Sequence, residues 1–542
     1  MSLQFIFGPS GSGKSYELYQ SVIKESMEHP KQKFLVLVPE QFTMQTQKDL
    51  VAMHPRHGIM NIDVLSFGRL AYRVFEETGG GNLPVLDDEG KNLVLRKIAG
   101  DYEDQLSVLR GNMKKLGYIS EVKSVISEFT QYDIGEEEID QVMEAAGENS
   151  RLYFKLQDLK ILYRGFREYL ESRYITKEEL LDVLSREVER SEMLKNSTVV
   201  LDGFTGFTPV QNRLLLELLK HCRKLCVTVT MDEREDPFTY RHPYQLFALS
   251  KHMVTGLTEL ARQAKTEILT PVYLYGQPVR RFLDNPSLAF LERNLFRYRK
   301  NAGEAESTCP GEDQAVGTHV ARNPRAEAMA VAGQIRSLVR KEGYRYREIG
   351  VIVSDMSAYG DYLKQAFEVY EIPVFMDQKK SILLNPFVEY IRSLLSMAEQ
   401  NFTAESVFRF LRTNLSGFTM EETDALENYV IGLGIKGYKR WQERWIRRLK
   451  DTTEEDLEVF NHCRVRLVEK VDGLLYVLKQ RKKTVRDITM ALYEFLVQEE
   501  LQKKLKVQEE VFQERGEQAL AREYAQIYRI VIELFDKFVE LL

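Results

Sequence analysis

The octapeptide Gly8-Pro9-Ser10-Gly11-Ser12-Gly13-Lys14-Ser15, placed directly behind the apolar run LQFIF (3–7), most narrows what this chain can fold into. It fits the pattern GxxxxGK[ST], and the residues from Ser15 to about Glu28 read as a helix. A strand that turns through glycines into a helix N-terminus aims backbone N–H groups inward, where they cradle phosphate oxygens. Lys14 would then reach the β- and γ-phosphates, and the Ser15 hydroxyl would ligate Mg²⁺. A chance Gly/Ser loop is the alternative, and the strand–loop–helix context speaks against it. The expected ligands are ATP and Mg²⁺, held by Gly8, Pro9, Ser10, Gly11, Ser12, Gly13, Lys14 and Ser15.

Such a loop requires a parallel sheet behind it, and the sequence supplies the strands. FLVLV (34–38) is a continuous apolar run of the kind buried on both faces. Residues 59–65, TVVL (198–201) and 225–230 are further candidates, with an apolar helix around 211–219. Strands alternating with helices give an α/β doubly wound domain. Residues 85–195, rich in Glu, Lys, Leu and Tyr, interrupt that rhythm as a helical insertion. The polar, Gly-rich stretch NAGEAESTCPGEDQAVG (301–317) is the expected linker. A second α/β domain then begins near 318, with strands expected at IGVIV (349–353) and IPVFM (372–376). From about 400 onward the chain reads as almost purely helical. The stop at Leu542 falls in mid-helix, which we read as a truncation.

Composition excludes several classes. Charged residues are 29% and hydrophobic ones 44%, as in ordinary globular proteins, which argues against disorder and fibres. No apolar run approaches the roughly 20 residues of a membrane span, and no signal peptide opens the chain. The expectation is a cytoplasmic protein without membrane contact. Four cysteines without a CxxC pair agree with a reduced compartment. The spacing of Cys222 and Cys226 suggests neighbours on one helix face or at a helix end. A net charge of −6 gives no general support for nucleic-acid binding and leaves local grooves open. The histidines form no ligand cluster, so no metal is expected beyond nucleotide-bound Mg²⁺.

The strand TVVL leads into Asp202, the position where a P-loop enzyme keeps its Mg²⁺-side aspartate. Asp202 either serves that ion or caps the following turn. Its neighbour Gly203 has no side chain and cannot act as a base, so no catalytic residue is assigned.

These residues resemble a known family. DGFTGFTPVQ (202–211) is similar to the DExxQDxxxxQ box of UvrD-like superfamily 1 helicases, keeping Asp202, Phe204 and Gln211. LERNLFR (291–297) resembles the LEQNYRS box, with Leu295 and Phe296 at the aromatic and arginine positions. Residues 346–375 resemble the start of a second motor domain. Together with VPEQFT (38–43), LSFGRLAYRVF (65–75) and ENYVIGLGIKGYKRW (427–441), the pattern resembles the AddB family, over essentially the whole chain. AddB proteins are the B subunits of the bacterial AddAB helicase–nuclease.

The resemblance implies P-loop RecA-like domains with large helical insertions. Domain 1A would comprise 1–84 with 196–300, insertion 1B 85–195, the start of domain 2A 318–400, and a truncated insertion 2B 401–542. It implies a helicase-like, largely inactivated subunit that binds ATP, pairs with an AddA-like motor and processes double-stranded DNA ends for recombinational repair. Scanning the emerging 3′-ended single strand for Chi is part of that role. A nuclease domain with an iron–sulfur cluster belongs to the family's C-terminal half and has no counterpart among these motifs. Strand contacts carried over by position are Gln41, Phe42, Thr43, Phe67, Arg69, Phe204 and Phe207. Aromatic faces suit base stacking, and Gln, Thr and Arg suit base edges or phosphates.

KGYKRWQERWIRRLK (436–450) holds seven basic residues and both tryptophans of the chain. Read as an amphipathic helix, it either packs Trp441 and Trp445 inward or offers Lys439, Arg440 and Trp441 to nucleic acid. Two other functions remain open at this point. An active P-loop translocase is disfavoured by Gly203, by the altered LERNLFR box and by the lack of room upstream for an adenine-reading glutamine. An interaction scaffold with a vestigial P-loop is the other.

Overall fold

β1 (Ser2–Gly8) pairs in parallel with β7 (Lys224–Thr230) over its whole length, so the glycine-rich loop of residues 8–15 leaves the middle of a sheet rather than its rim. The computed structural model describes residues 1–81, 83–148, 150–297, 315–376, 381–450 and 452–542. The chain divides into two units, Met1–Thr318 and His319–Leu542.

In the first unit, β2 (Lys33–Leu37), β3 (Ile62–Leu65) and β6 (Ser197–Leu201) complete the central strands, in the order β3-β2-β6-β7-β1. The short β8 (Glu267–Ile268) and β9 (Val272–Tyr273) both add to β1. Every pairing is parallel. β2 and β6 are apolar and buried along nearly their whole length, because helices cover both faces. One face packs helix α1 (Lys14–Glu28) through Leu18, Val22 and Ile23. The other packs Leu70 and Val74 of helix Phe67–Thr78 with Leu214, Leu215 and Leu218 of helix Pro209–His221. The loops that leave β1, β2, β3 and β6 toward their helices therefore share the carboxyl edge of the sheet.

The insertion consists mainly of helices, including Asp88–Asp101, Leu116–Gln131, Glu136–Ala146 and Arg151–Leu170. Its entry and exit are clipped together by β4 (Val85–Leu86) and β5 (Ile175–Thr176), a two-stranded parallel sheet that the sequence pattern does not reveal. Lys91, only 2% exposed along its side chain, pairs there with Glu178 at 2.7 Å. Cys222 closes helix Pro209–His221 and Cys226 lies inside β7, so the two do not share a helix face. Both are buried, and burial pushes the thiols up to about 12 and about 11.

In the second unit, helices Pro324–Lys341 and Met356–Val369 pack through Ala328, Ala332, Leu363 and Phe367. The strands expected at 349–353 and 372–376 are absent: neither segment has a ladder partner among the described residues. An apolar run becomes a strand only when a second backbone completes its hydrogen bonds. Ile352 is fully exposed and Phe375 is 90% exposed, and the two segments line a cavity of about 790 Å³. The helices from Pro386–Glu399 to Gln518–Leu541 surround a separate apolar core built on Tyr390, Phe402, Trp441 and Leu467. The expected linker lies outside the described residues over 301–314, as does Cys309. Among the described residues no helix is long and apolar enough to cross a membrane.

Candidate functional site

The loop after β1 makes its turn with two left-handed glycines, Gly11 at φ 82° and Gly13 at φ 93°. Gly13 is the N-cap of α1 and has no side chain with which to satisfy the helix's first N–H groups. Those donors have no side-chain cap, which is the arrangement that suits an anion at a helix N-terminus. Lys14 folds back over the loop, its Nζ donating to the carbonyl oxygens of Gly8 (3.0 Å) and Pro9 (2.9 Å). Burial pushes the Lys14 ammonium down to about 8, against the attraction of Asp202. Ser12 Oγ is buried and has no hydrogen-bond partner among the described residues.

Asp202 follows β6, the second strand over from β1, and is 7% exposed. Its Oδ1 accepts from Ser15 Oγ at 3.1 Å and from Thr228 Oγ1, while Oδ2 accepts from Tyr19 Oη at 2.7 Å. Burial and the nearby Asp202 charge hold the Tyr19 phenol far above its ordinary value, so it stays a donor. The Ser15–Asp202 pair is a hydroxyl and a carboxylate in contact beside this glycine-rich loop. These are hard oxygen donors that fit Mg²⁺, which would take its remaining ligands from phosphate and water. Gly203 has φ 80°, a conformation that an L side chain adopts only with strain. The backbone turn itself thus disfavours a carboxylate at this position.

Three residues that local sequence patterns do not single out form an ion-pair cluster nearby, with Asp232 and Arg234 lining a small cavity beside Pro9. Asp232, just beyond β7, accepts from Arg234 (2.7 Å, Nη2) and from Arg297 (2.6 Å, Nη2). Burial opposes its ionisation, but the hydrogen bonds and charges of the two arginines outweigh it and hold the carboxyl well below the usual range. Arg297 closes the LERNLFR segment, so this pair ties that segment to the sheet. An acid at a strand end was the available signal; its distant partner Arg297 was not.

The loops expected to face a DNA strand follow β2, β3 and β6, three adjacent strands, at the same sheet edge. Gln41 and Phe42 lie in the short turn Glu40–Phe42 and are exposed, Phe42 by 49%. Arg69 is exposed and forms no ion pair with a described residue. Phe204 and Phe207 are half-buried, with ring centroids 5.3 Å apart. Two residues in these loops behave otherwise. Thr43 is 6% exposed and its hydroxyl donates to Glu40 O at 3.0 Å, so it has no free group for a base. Phe67 is 7% exposed and props the other two rings from beneath, its centroid 5.4 Å from that of Phe204.

The basic stretch is helical only over Tyr438–Gln442. Trp441 is fully buried and Trp445 nearly so, packed edge to face at 5.1 Å, so the indole of Trp441 offers no surface to a base. Asn461 clamps the backbone of Trp445 with two hydrogen bonds of 2.9 Å. Lys439 and Arg440 remain exposed on the outside.

Residues 5–292 match the family model described as ADDB, N-terminal. The chain belongs to the AddB family. A curated relative from Lachnoclostridium phytofermentans, named as the B subunit of an ATP-dependent helicase/deoxyribonuclease, is 43% identical over all of this chain and 47% of its own length. Proteins of the same name from Caldanaerobacter subterraneus and Clostridium novyi are 34% and 32% identical, again over the whole chain and 46% of their own length. The chain spans about half the length of the curated relatives it matches.

Proposed function

We propose that this chain is the helicase-like part of the AddB component of an ATP-dependent helicase–nuclease, with a P-loop RecA-like domain that binds MgATP without turning it over efficiently. The observation that carries the reading is the pairing of Ser15 with Asp202 next to a glycine at φ 80°. The phosphate and metal ligands have suitable positions, and the adjoining backbone disfavours a water-activating carboxylate. In this reading 85–195 and 401–542 are the insertions 1B and 2B, and 318–400 begins domain 2A.

A DNA single strand would run over the β3-β2-β6 side of the sheet edge. Phe42, Phe204 and Phe207 would stack on bases there, and Gln41 and Arg69 would bond base edges or phosphates. Lys439 and Arg440 would add phosphate contacts elsewhere along the strand. An AddA-like motor as partner, double-stranded ends as substrate, Chi scanning and a cytoplasmic setting belong to the same proposal, supported by the family and by the relatives' names.

Two assays test it. Nucleotide should raise the melting temperature of the chain, and Lys14→Ala should abolish the rise. Phe42→Ala with Phe207→Ala should weaken single-stranded DNA binding. DNA-stimulated ATP turnover lost in Lys14→Ala would instead establish an active translocase. No nucleotide protection at all would leave a scaffold.

A further inference from the structure

After β9 the chain crosses the phosphate loop as a strap, anchored by Val279, which is 1% exposed, and continued by the short turn Arg280–Phe282. The approach is close. The Arg281 backbone N–H donates to Gly11 O at 3.1 Å, and a Cβ on Gly11 would lie 2.9 Å from Arg281 Cβ. Arg280 lies over the other end of the loop. Its guanidinium is centred 3.9 Å from the ring of Tyr16, with Cδ 3.4 Å and Nη1 3.8 Å from where a Gly13 Cβ would sit. Both arginines are exposed, and neither forms an ion pair with a carboxylate among the described residues.

Two guanidinium groups without an ion pair, together with Lys14 and an uncapped helix N-terminus, outnumber the two carboxylates that act on the loop, Asp202 and Glu292, and leave its mouth net cationic. The helicase-box arginine is not there to explain it. Its position is taken by Phe296, which is 70% exposed, and the adjacent Arg297 is held by Asp232. We propose that Arg280 and Arg281 are phosphate ligands of this site, replacing from the strap the arginine that the LERNLFR segment lacks. The stacking of Arg280 on Tyr16 pre-orients its planar fork, and a guanidinium meets a phosphate group through two parallel N–H donors. The inference rests on the nucleotide-binding reading and deepens it.

The test is equilibrium binding of MgATP and of inorganic tripolyphosphate to the 542-residue chain as wild type, Arg280→Ala, Arg281→Ala and Lys14→Ala. Each arginine variant should bind both ligands about tenfold more weakly, with an unchanged melting temperature in the absence of ligand. Wild-type affinity in both arginine variants, alongside lost binding in Lys14→Ala, would overturn the inference and leave the nucleotide site standing. Tighter binding on removing either arginine would also overturn it, since the strap would then be a block. A loss for ATP without one for tripolyphosphate would place the arginines on the base and overturn it as well. Absent binding by the wild type, or equal binding by Lys14→Ala, would reject the nucleotide reading itself.

Discussion

Lys14 makes the acid–base behaviour of the site predictable. Its ammonium is pushed down to about 8 by burial, and its hydrogen-bond acceptors are two carbonyl oxygens of its own loop. In the proposed nucleotide-binding role phosphate needs the protonated form, so Lys14 would take up its proton before or as the ligand binds. With half of the sites protonated near pH 8, MgATP affinity should fall about tenfold between pH 7 and pH 9. Bound phosphate stabilises the ammonium, so binding at pH 8 should take up about half a proton. Calorimetric titrations in two buffers of different ionisation enthalpy measure that uptake directly. Lys14→Arg, which stays charged throughout, should remove both effects. The same shift affects stability with a definite sign. The unfolded chain keeps this proton up to its ordinary value of 10.5, and the folded chain releases it near 8. Between those values the unfolded state binds more protons, so this group favours folding increasingly as pH rises, and below 8 its burial costs the full penalty. A wild-type affinity that stays flat from pH 7 to pH 9, with no proton uptake, would refute the argument.

Other outcomes follow from the packing around the site and the second core. Trp441→Ala should cost about 3–5 kcal/mol in denaturant unfolding of the unit it occupies, because a fully buried indole leaves a large cavity; Trp441→Phe, milder in volume, should leave single-stranded DNA affinity unchanged. Glu178→Gln should leave the buried Lys91 ammonium with Asp88 at 3.8 Å and a hydrogen bond to Ser127 as its remaining partners, and cost about 1–3 kcal/mol by chemical denaturation. Gly203→Ala should destabilise by about 1–2 kcal/mol, since its φ of 80° is strained for any L side chain; an unchanged melting temperature would show that the turn can relax.

Local patterns carried most of the first unit. The β1–loop–α1 passage, FLVLV as a doubly covered strand and the largely apolar runs at 198–201 and 225–230 are short-range signals, since a strand buried on both faces is apolar along most of its length. What failed depended on distant partners. The segments 349–353 and 372–376 carry strand-like residues, yet no neighbouring backbone among the described residues turns them into a sheet. β4 and β5, two residues each, were too short to read, and only their meeting across the whole helical insertion makes them strands. The basic stretch around Trp441 showed its composition, and not which side chains would point inward.

The sequence by itself determined the glycine-rich loop between β1 and its helix, the parallel sheet behind it, the aspartate at 202 and the glycine at 203, because each is written in contiguous residues whose backbone geometry follows from glycine and from apolar runs. Tertiary structure alone decided which side chains have free groups to offer. It buried Thr43, Phe67 and Trp441, left Phe42 and Arg69 exposed, consumed Arg297 on Asp232, and laid Arg280 and Arg281 over Gly11 and Gly13 from the far end of the first unit. The physical reason is that burial and charge compensation are properties of a neighbourhood in space, and a chain position does not reveal its neighbours until the fold assembles them.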